Sequence, residues 1–165
     1  MVNYPNSEAG YCPVSGFATI LLMLLFIIAV LSVGCGKNHY LEVSDQRGQV
    51  LLTLPLNKGE EFSLKYFHSV HRTPVEEIFR LSPEGVLVLT ATEFSSFGVG
   101  TPFLPEEGEL TEINGSLLLK GLDRSLPELS LRPLAITEHQ LVHRGKVYPL
   151  IEYVESGSLI RIKVR

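Results

Sequence analysis

Cysteine is scarce: Cys12 and Cys35 are the two in 165 residues, and both precede everything that reads as folded. The domain therefore has neither a disulfide framework nor a cysteine metal cluster to hold it together. No basic run stands out, and 14 Lys plus Arg against 18 Asp plus Glu give a formal net charge of -4. Nucleic acid is left without an electrostatic footprint, so it is excluded as a partner. Beyond residue 36 there is no convincing helical periodicity, no internal repeat and no low-complexity tract. No Gly-x-Ser-x-Gly elbow supports a serine hydrolase. What remains is a chain with 45% hydrophobic content, long enough for one domain with a core but not for two.

Residues 17 to 33 carry no charge at all. As a helix rising about 1.5 Å per residue they fall slightly short of the hydrocarbon thickness, and the glycine-containing flanks out to residue 36 extend them to a marginal span. The expected organisation is a tail over 1–16, a transmembrane anchor or signal segment over 17–36, and a single all-β domain over 37–165. Leu31-Ser32-Val33-Gly34-Cys35 is similar to the lipobox of bacterial lipoproteins, with Ser32 where that motif more often has Leu. Residues 1 to 16 hold Glu8 and no Lys or Arg, so the positive-inside rule would place the side holding Lys37 and Arg47 in the cytoplasm. Against this, the leader pattern favours a cell-membrane protein, single-pass or lipid-anchored, with its domain extracytoplasmic.

After the anchor the chain breaks into short alternating segments separated by turn residues. Tyr40 to Ser44 and Gln49 to Leu54 flank a turn ending at Gly48. Glu61 to Val70 and Val75 to Leu81 form a hairpin, and Val86 to Phe94 alternates only weakly, as a strand covered on both faces does. Residues 98 to 115 read as a long irregular loop, followed by a strand over Leu117 to Lys120 and a loop over Gly121 to Glu128. Leu129 to Ile136, interrupted by Pro133, reads as an edge strand. A second hairpin over His139 to Val154 and a strand over Leu159 to Val164 close the chain. The fold expected is an antiparallel β-sandwich or partly open β-barrel of eight to ten strands.

The stretch Tyr66 to Phe79 organises the chemistry. A register opposing Val70 with Val75 also opposes Ser69 with Glu76 and His68 with Glu77, placing Phe62, Leu64, Tyr66 and His68 on one face with Leu81, Phe79, Glu77 and Val75. That face is apolar apart from His68 and Glu77, and a buried imidazole and carboxylate need a partner or a purpose. Glu93 shares strand parity with Leu87, Leu89 and Ala91 and is expected to point the same way. His68 with Glu77 and Glu93 suits a small-ligand site; the plainer alternative is a pair that pins the hairpin register. Gly98 and Gly100 would let backbone N–H groups approach a ligand, or would serve a bulge. His139 and His143 are read as solvated, and His71 as an exposed turn residue. No metal and no cofactor are implied, since the spacing of His68, Glu77 and Glu93 is no known metal signature. His68 and Ser69 are neighbours on a strand and point apart, so they cannot act as base and nucleophile together.

The string Tyr66-x-His68-Ser69-Val70-x-x-Thr73-Pro74-Val75-Glu76-Glu77-x-Phe79, then Glu93-x-Ser95-Ser96-Phe97-Gly98-x-Gly100-x-Pro102, and later Gly145-x-x-Tyr148-Pro149-Leu150, resembles the bacterial family catalogued as domain of unknown function 1850. The resemblance covers about residues 40 to 165. It implies a small protein with one apolar segment and an accessory role beside a tripartite (TRAP) solute transporter of the TAXI-receptor type. Residues His68, Ser69, Thr73, Glu77, Glu93, Gly98 and Gly100 are the expected ligand-binding set, with a small organic acid as one candidate ligand and transporter subunits and the membrane as partners. The expected role is non-enzymatic binding, the alternatives being a small metal- or His-dependent hydrolase and a structural partner of a membrane complex.

Overall fold

The computed structural model describes residues 20, 21, 23–25, 38–95 and 108–165. The chain divides into two units, Met1–Lys37 and Asn38–Arg165. In the first, Ile20, Leu21 and Met23 to Leu25 are helical and exposed. Among the described residues no helix is long and apolar enough to cross a membrane, and most of the 17–36 segment lies outside them.

The second unit holds eleven strands among its described residues, more than the eight to ten expected: β1 (His39–Asp45), β2 (Val50–Leu56), β3 (Glu61–Phe67), β4 (Pro74–Leu81), β5 (Leu87–Phe94), β6 (Glu109–Ile113), β7 (Ser116–Leu126), β8 (Leu129–Leu131), β9 (Gln140–His143), β10 (Lys146–Pro149) and β11 (Ile160–Val164). They form two antiparallel sheets, one ordered β2-β1-β11-β8 and the other β10-β9-β3-β4-β5-β7-β6. One continuous core joins them, with Leu41, Val43, Leu54, Leu56, Ile160 and Ile162 of the smaller sheet meeting Phe62, Phe79, Leu81, Leu87, Leu119 and Leu141 of the larger. Neither sheet closes on itself, so the architecture is a sandwich, in which inner faces interdigitate and outer faces meet solvent. Phe62 and Phe79 stack at its centre, ring centroids 5.2 Å apart, and each such buried aromatic stabilises the fold by roughly 1.5–3 kcal/mol.

The β3–β4 register differs from the one expected. Leu64 pairs with Glu77 rather than with Leu81, and Tyr66 with Val75. The loop takes six residues, His68 to Thr73, closed by the His68 N–H donating to Thr73 O at 2.9 Å and the Arg72 N–H donating to His68 O at 2.9 Å. Arg72 adopts a left-handed φ of 55° to complete it. The displacement is even, so the apolar set stays on the core face; only the pairings change. His68 therefore leaves the strand and does not oppose Glu77.

Two irregularities reshape the next strands. Between β4 and β5 the pairing steps from Ile78–Ala91 to Phe79–Leu89, so Thr90 is an extra residue, and its hydroxyl donates to Ile78 O at 3.1 Å. A bulge of this kind reverses strand parity beyond it. Leu87 and Leu89 face the core on one side of Thr90, Thr92 and Phe94 on the other, and Glu93 turns to the outer face, contrary to the parity expectation. In β7, Gly121 at φ 76° lets the strand continue through a second shift, between Leu89 and Ala91 of its partner, so the loop expected from Gly121 becomes strand. At the other end of the sheet β10 gives way to a 3₁₀ turn, Leu150–Glu152, and β8 stops before Pro133.

Candidate functional site

Pairing across five strands builds one row on the outer face of the larger sheet: Gln140 of β9, Lys65 of β3, Glu76 of β4, Glu93 of β5 and Leu118 of β7. Beside it Phe67 pairs with Pro74 at the strand ends. A cleft of about 340 Å³ lies here, at the small end of the range for small-molecule sites. Its charged lining is Lys65, Glu76, Glu93 and Glu138, joined by the polar groups of Ser95, Ser116 and Gln140 and the apolar surface of Phe67 and Pro74. Lys65 Nζ is 2.9 Å from Glu76 Oε2, which occupies the lysine and leaves Glu93 and Glu138 as an excess of negative charge.

The loop between β8 and β9 forms part of the rim. Phe67 N–H donates to Thr137 O at 2.8 Å, tying this loop to the end of β3. Thr137 is 4% exposed; its hydroxyl donates to Leu134 O at 3.0 Å and accepts the Leu134 N–H at 3.1 Å. With that single proton given away, Thr137 Oγ1 accepts from His139 Nδ1 at 2.7 Å, leaving His139 Nε2 as the acceptor nitrogen. The His139 ring stacks on Tyr66, centroids 4.9 Å apart, and burial lowers its pKa, so the neutral imidazole is favoured. A hydroxyl and imidazole this close have the spacing of a nucleophile and base, but both Thr137 bonds to Leu134 hold it as a turn residue.

On the core side of the same strands Tyr66 donates its hydroxyl proton to Glu77 Oε1 at 3.3 Å. Burial raises the Glu77 pKa, opposed by the Tyr66 hydrogen bond and the Arg124 charge. Burial, then the charge and hydrogen bond of Glu77, raise that of Tyr66. A separate ion pair lies at the opposite end of β3, where Glu60 Oε2 accepts from Arg144 Nη2 at 2.8 Å and from the Asn57 N–H at 2.8 Å, and Glu60 Oε1 meets His143 Nε2 at 3.0 Å. His143 is 3% exposed, so it is a buried partner of Glu60 rather than the solvated side chain expected.

The expected ligand set is therefore dispersed. Glu93 lines the cleft and Glu77 faces the core. His68 sits in the hairpin loop, its Nδ1 accepting the N–H groups of Val70 and His71 at 3.3 Å each, and its ring lies 4.9 Å from that of the exposed His71. Ser69 is exposed in that loop and Thr73 closes it with its carbonyl. Gly98 and Gly100 lie outside the described residues. Among the described residues no group of three or more His, Cys, Asp or Glu is gathered to hold a metal ion. Lys65, Glu138 and Gln140 were missed as site residues. Strand alternation alone puts Lys65 beside Phe67 on the face away from the core, but their meeting with Glu93 depends on the Thr90 bulge.

A family model described as a domain of unknown function (DUF1850) matches residues 62–150, more than half of the chain. The chain belongs to the DUF1850 family. No curated protein and no solved structure matches it. The DUF1850 match begins in β3 and ends just past β10, so it takes in the larger sheet and the cleft, while β1, β2 and β11 lie outside it.

Proposed function

We propose that this DUF1850 domain is a non-enzymatic small-ligand-binding module, held at the cell membrane by the apolar segment and serving as an extracytoplasmic accessory to a TRAP-type solute transporter. The observation that carries the binding reading is the cleft itself, whose mixed lining spans β3, β4, β5, β7, β9 and the loop before β9. The transporter connection rests on the family resemblance and the membrane attachment on the uncharged run of residues 17 to 33. Charge directs the choice of ligand. An organic acid would meet Glu93 and Glu138 with Lys65 already engaged by Glu76, whereas an ammonium group would find two carboxylates and the polar atoms of Ser95, Ser116 and Gln140. The module therefore takes a compact amine, with Phe67 and Pro74 covering its apolar part.

A thermal-shift screen of the detergent-solubilised chain against small amines, amino acids and organic acids tests this. A ligand that binds the native state raises the melting temperature by mass action, so even modest affinity is visible at high concentration. Stabilisation by amines supports the reading, and a panel without any stabilising amine overturns it. Affinity capture with cross-linking from the native membrane tests the transporter link separately: recovery of transporter subunits supports it, and their absence from the cross-linked products counts against it.

A further inference from the structure

Glu93 and Glu138 line the same outer cleft from opposite sides. Glu93 is on β5, and in the cross-strand row Glu76 of β4 and Lys65 of β3 separate it from Gln140 of β9. Glu138 lies in the loop just before β9, beside Thr137, whose carbonyl accepts the Phe67 N–H. Neighbouring strands lie about 4.8 Å apart, so the three steps from β5 to β9 put roughly 14 Å between these backbones. Lys65 and Glu76 stand in the interval and bond each other at 2.9 Å. Among the described residues neither Glu93 nor Glu138 has an ion-pair partner. One ammonium group can therefore neutralise either carboxylate, but not both.

The lining between the two carboxylates is apolar. Phe67 pairs with Pro74 directly across β3 and β4, and its side chain is exposed to the cleft. Past Pro74 the lining turns polar again at Ser95 and Ser116, on the side of Glu93. Glu138 holds a left-handed φ of 46°, a backbone that suits glycine or asparagine better, so conformation does not account for a glutamate there. Across the strands the order is carboxylate, apolar pair, then hydroxyls and carboxylate.

Given that the cleft takes an amine, as proposed above, we propose that its ligand is a linear diamine, a short alkyl chain with an ammonium group at each end. One ammonium meets Glu138, the methylenes lie along Phe67 and Pro74, and the other ammonium meets Glu93, with the Ser95 and Ser116 hydroxyls as further acceptors. Lys65 does not repel the chain, because Glu76 already answers its charge. The cleft volume of about 340 Å³ keeps the chain short. A monoamine leaves one carboxylate unanswered, and an amine with a carboxylate at its far end sets that group against one of the two glutamates, so both are disfavoured.

Isothermal titration of the detergent-solubilised full chain with cadaverine, and with pentylamine, which has the same carbon chain and one ammonium group, decides it. Cadaverine is expected to bind wild type about tenfold more tightly than pentylamine, and Glu138→Gln, checked for an unchanged melting temperature, to bind the two alike. Equal affinity of the two amines for wild type overturns the diamine and leaves the amine-binding reading standing, whereas binding of neither overturns both. A preference for cadaverine that survives in Glu138→Gln puts the second ammonium elsewhere and overturns the two-ended assignment.

Discussion

Tyr66 and Glu77 are not opposed in the hairpin, yet the Tyr66 hydroxyl reaches Glu77 Oε1 diagonally at 3.3 Å. That contact, made by two side chains of the core face, is the main polar feature of an otherwise apolar row. Removing the donor leaves a largely buried carboxylate with less support. Tyr66→Phe is expected to lower stability by about 1 kcal/mol at pH 7, read from urea denaturation, and to raise the Glu77 titration midpoint. An unchanged midpoint would mean that the bond does not form in solution.

Glu77 and Glu60 respond to pH with opposite sign. Burial raises the Glu77 pKa above its ordinary value of 4.5, so the folded state holds this proton more tightly than the unfolded state. Its contribution is full below pH 4.5 and is lost as pH rises through the folded value. Glu77→Gln should therefore stabilise the protein at neutral pH and give no such gain at pH 4. A mutant less stable than wild type at pH 7 and equal to it at pH 4 would reverse the sign and refute the assignment.

Glu60 is depressed instead, to about 2, chiefly by its hydrogen bond from Arg144. Its stabilisation is present above pH 4.5 and is lost as pH falls towards 2. Glu60→Gln is expected to cost about 1 kcal/mol at pH 7, less than a buried charged hydrogen bond because Arg144 is solvent-exposed and screened. The deficit should shrink in high salt and fade as pH falls through about 2, vanishing only below it, which thermal melts across pH would show.

Thr90 sets which face the residues after it present. Thr90→Val removes the hydroxyl that satisfies Ile78 O, and an expected loss of about 1 kcal/mol follows from the partly buried carbonyl left without it. Deleting Thr90 is a harsher test. It would return Glu93 to the core side, and the expected outcome is a chain that does not reach the native fold by circular dichroism and near-ultraviolet signal.

The class of fold was legible in the sequence because turn residues and alternation mark strands locally. Phe62, Leu64, Val75, Phe79 and Leu81 were placed on the core face by period alone, and the even displacement of the register preserved that placement. The pairing was not legible, since loop length between β3 and β4 depends on Arg72 adopting a left-handed conformation and on His68 closing its own turn. An arginine at positive φ carries no sequence signal, unlike Asn114 before Gly115 in the β6–β7 turn. The same holds for the candidate site. Strand parity marks Glu93 as a candidate but points it to the wrong face, because one extra residue in a strand is invisible to a period-two pattern. Nothing local marks His143 as buried, because its partner Glu60 lies far away in sequence, in the turn between β2 and β3.

The proposed function requires the outer cleft to bind an amine through Glu93 and Glu138. Isothermal titration of the best amine from the screen against wild type and Glu93→Gln tests it most directly, with both apoproteins checked for equal melting temperature. Loss of one charge contact worth about 1.4 kcal/mol weakens binding tenfold, and that is the result expected. Equal affinity in the two proteins would place the ligand away from Glu93 and rule out amine binding in the outer cleft.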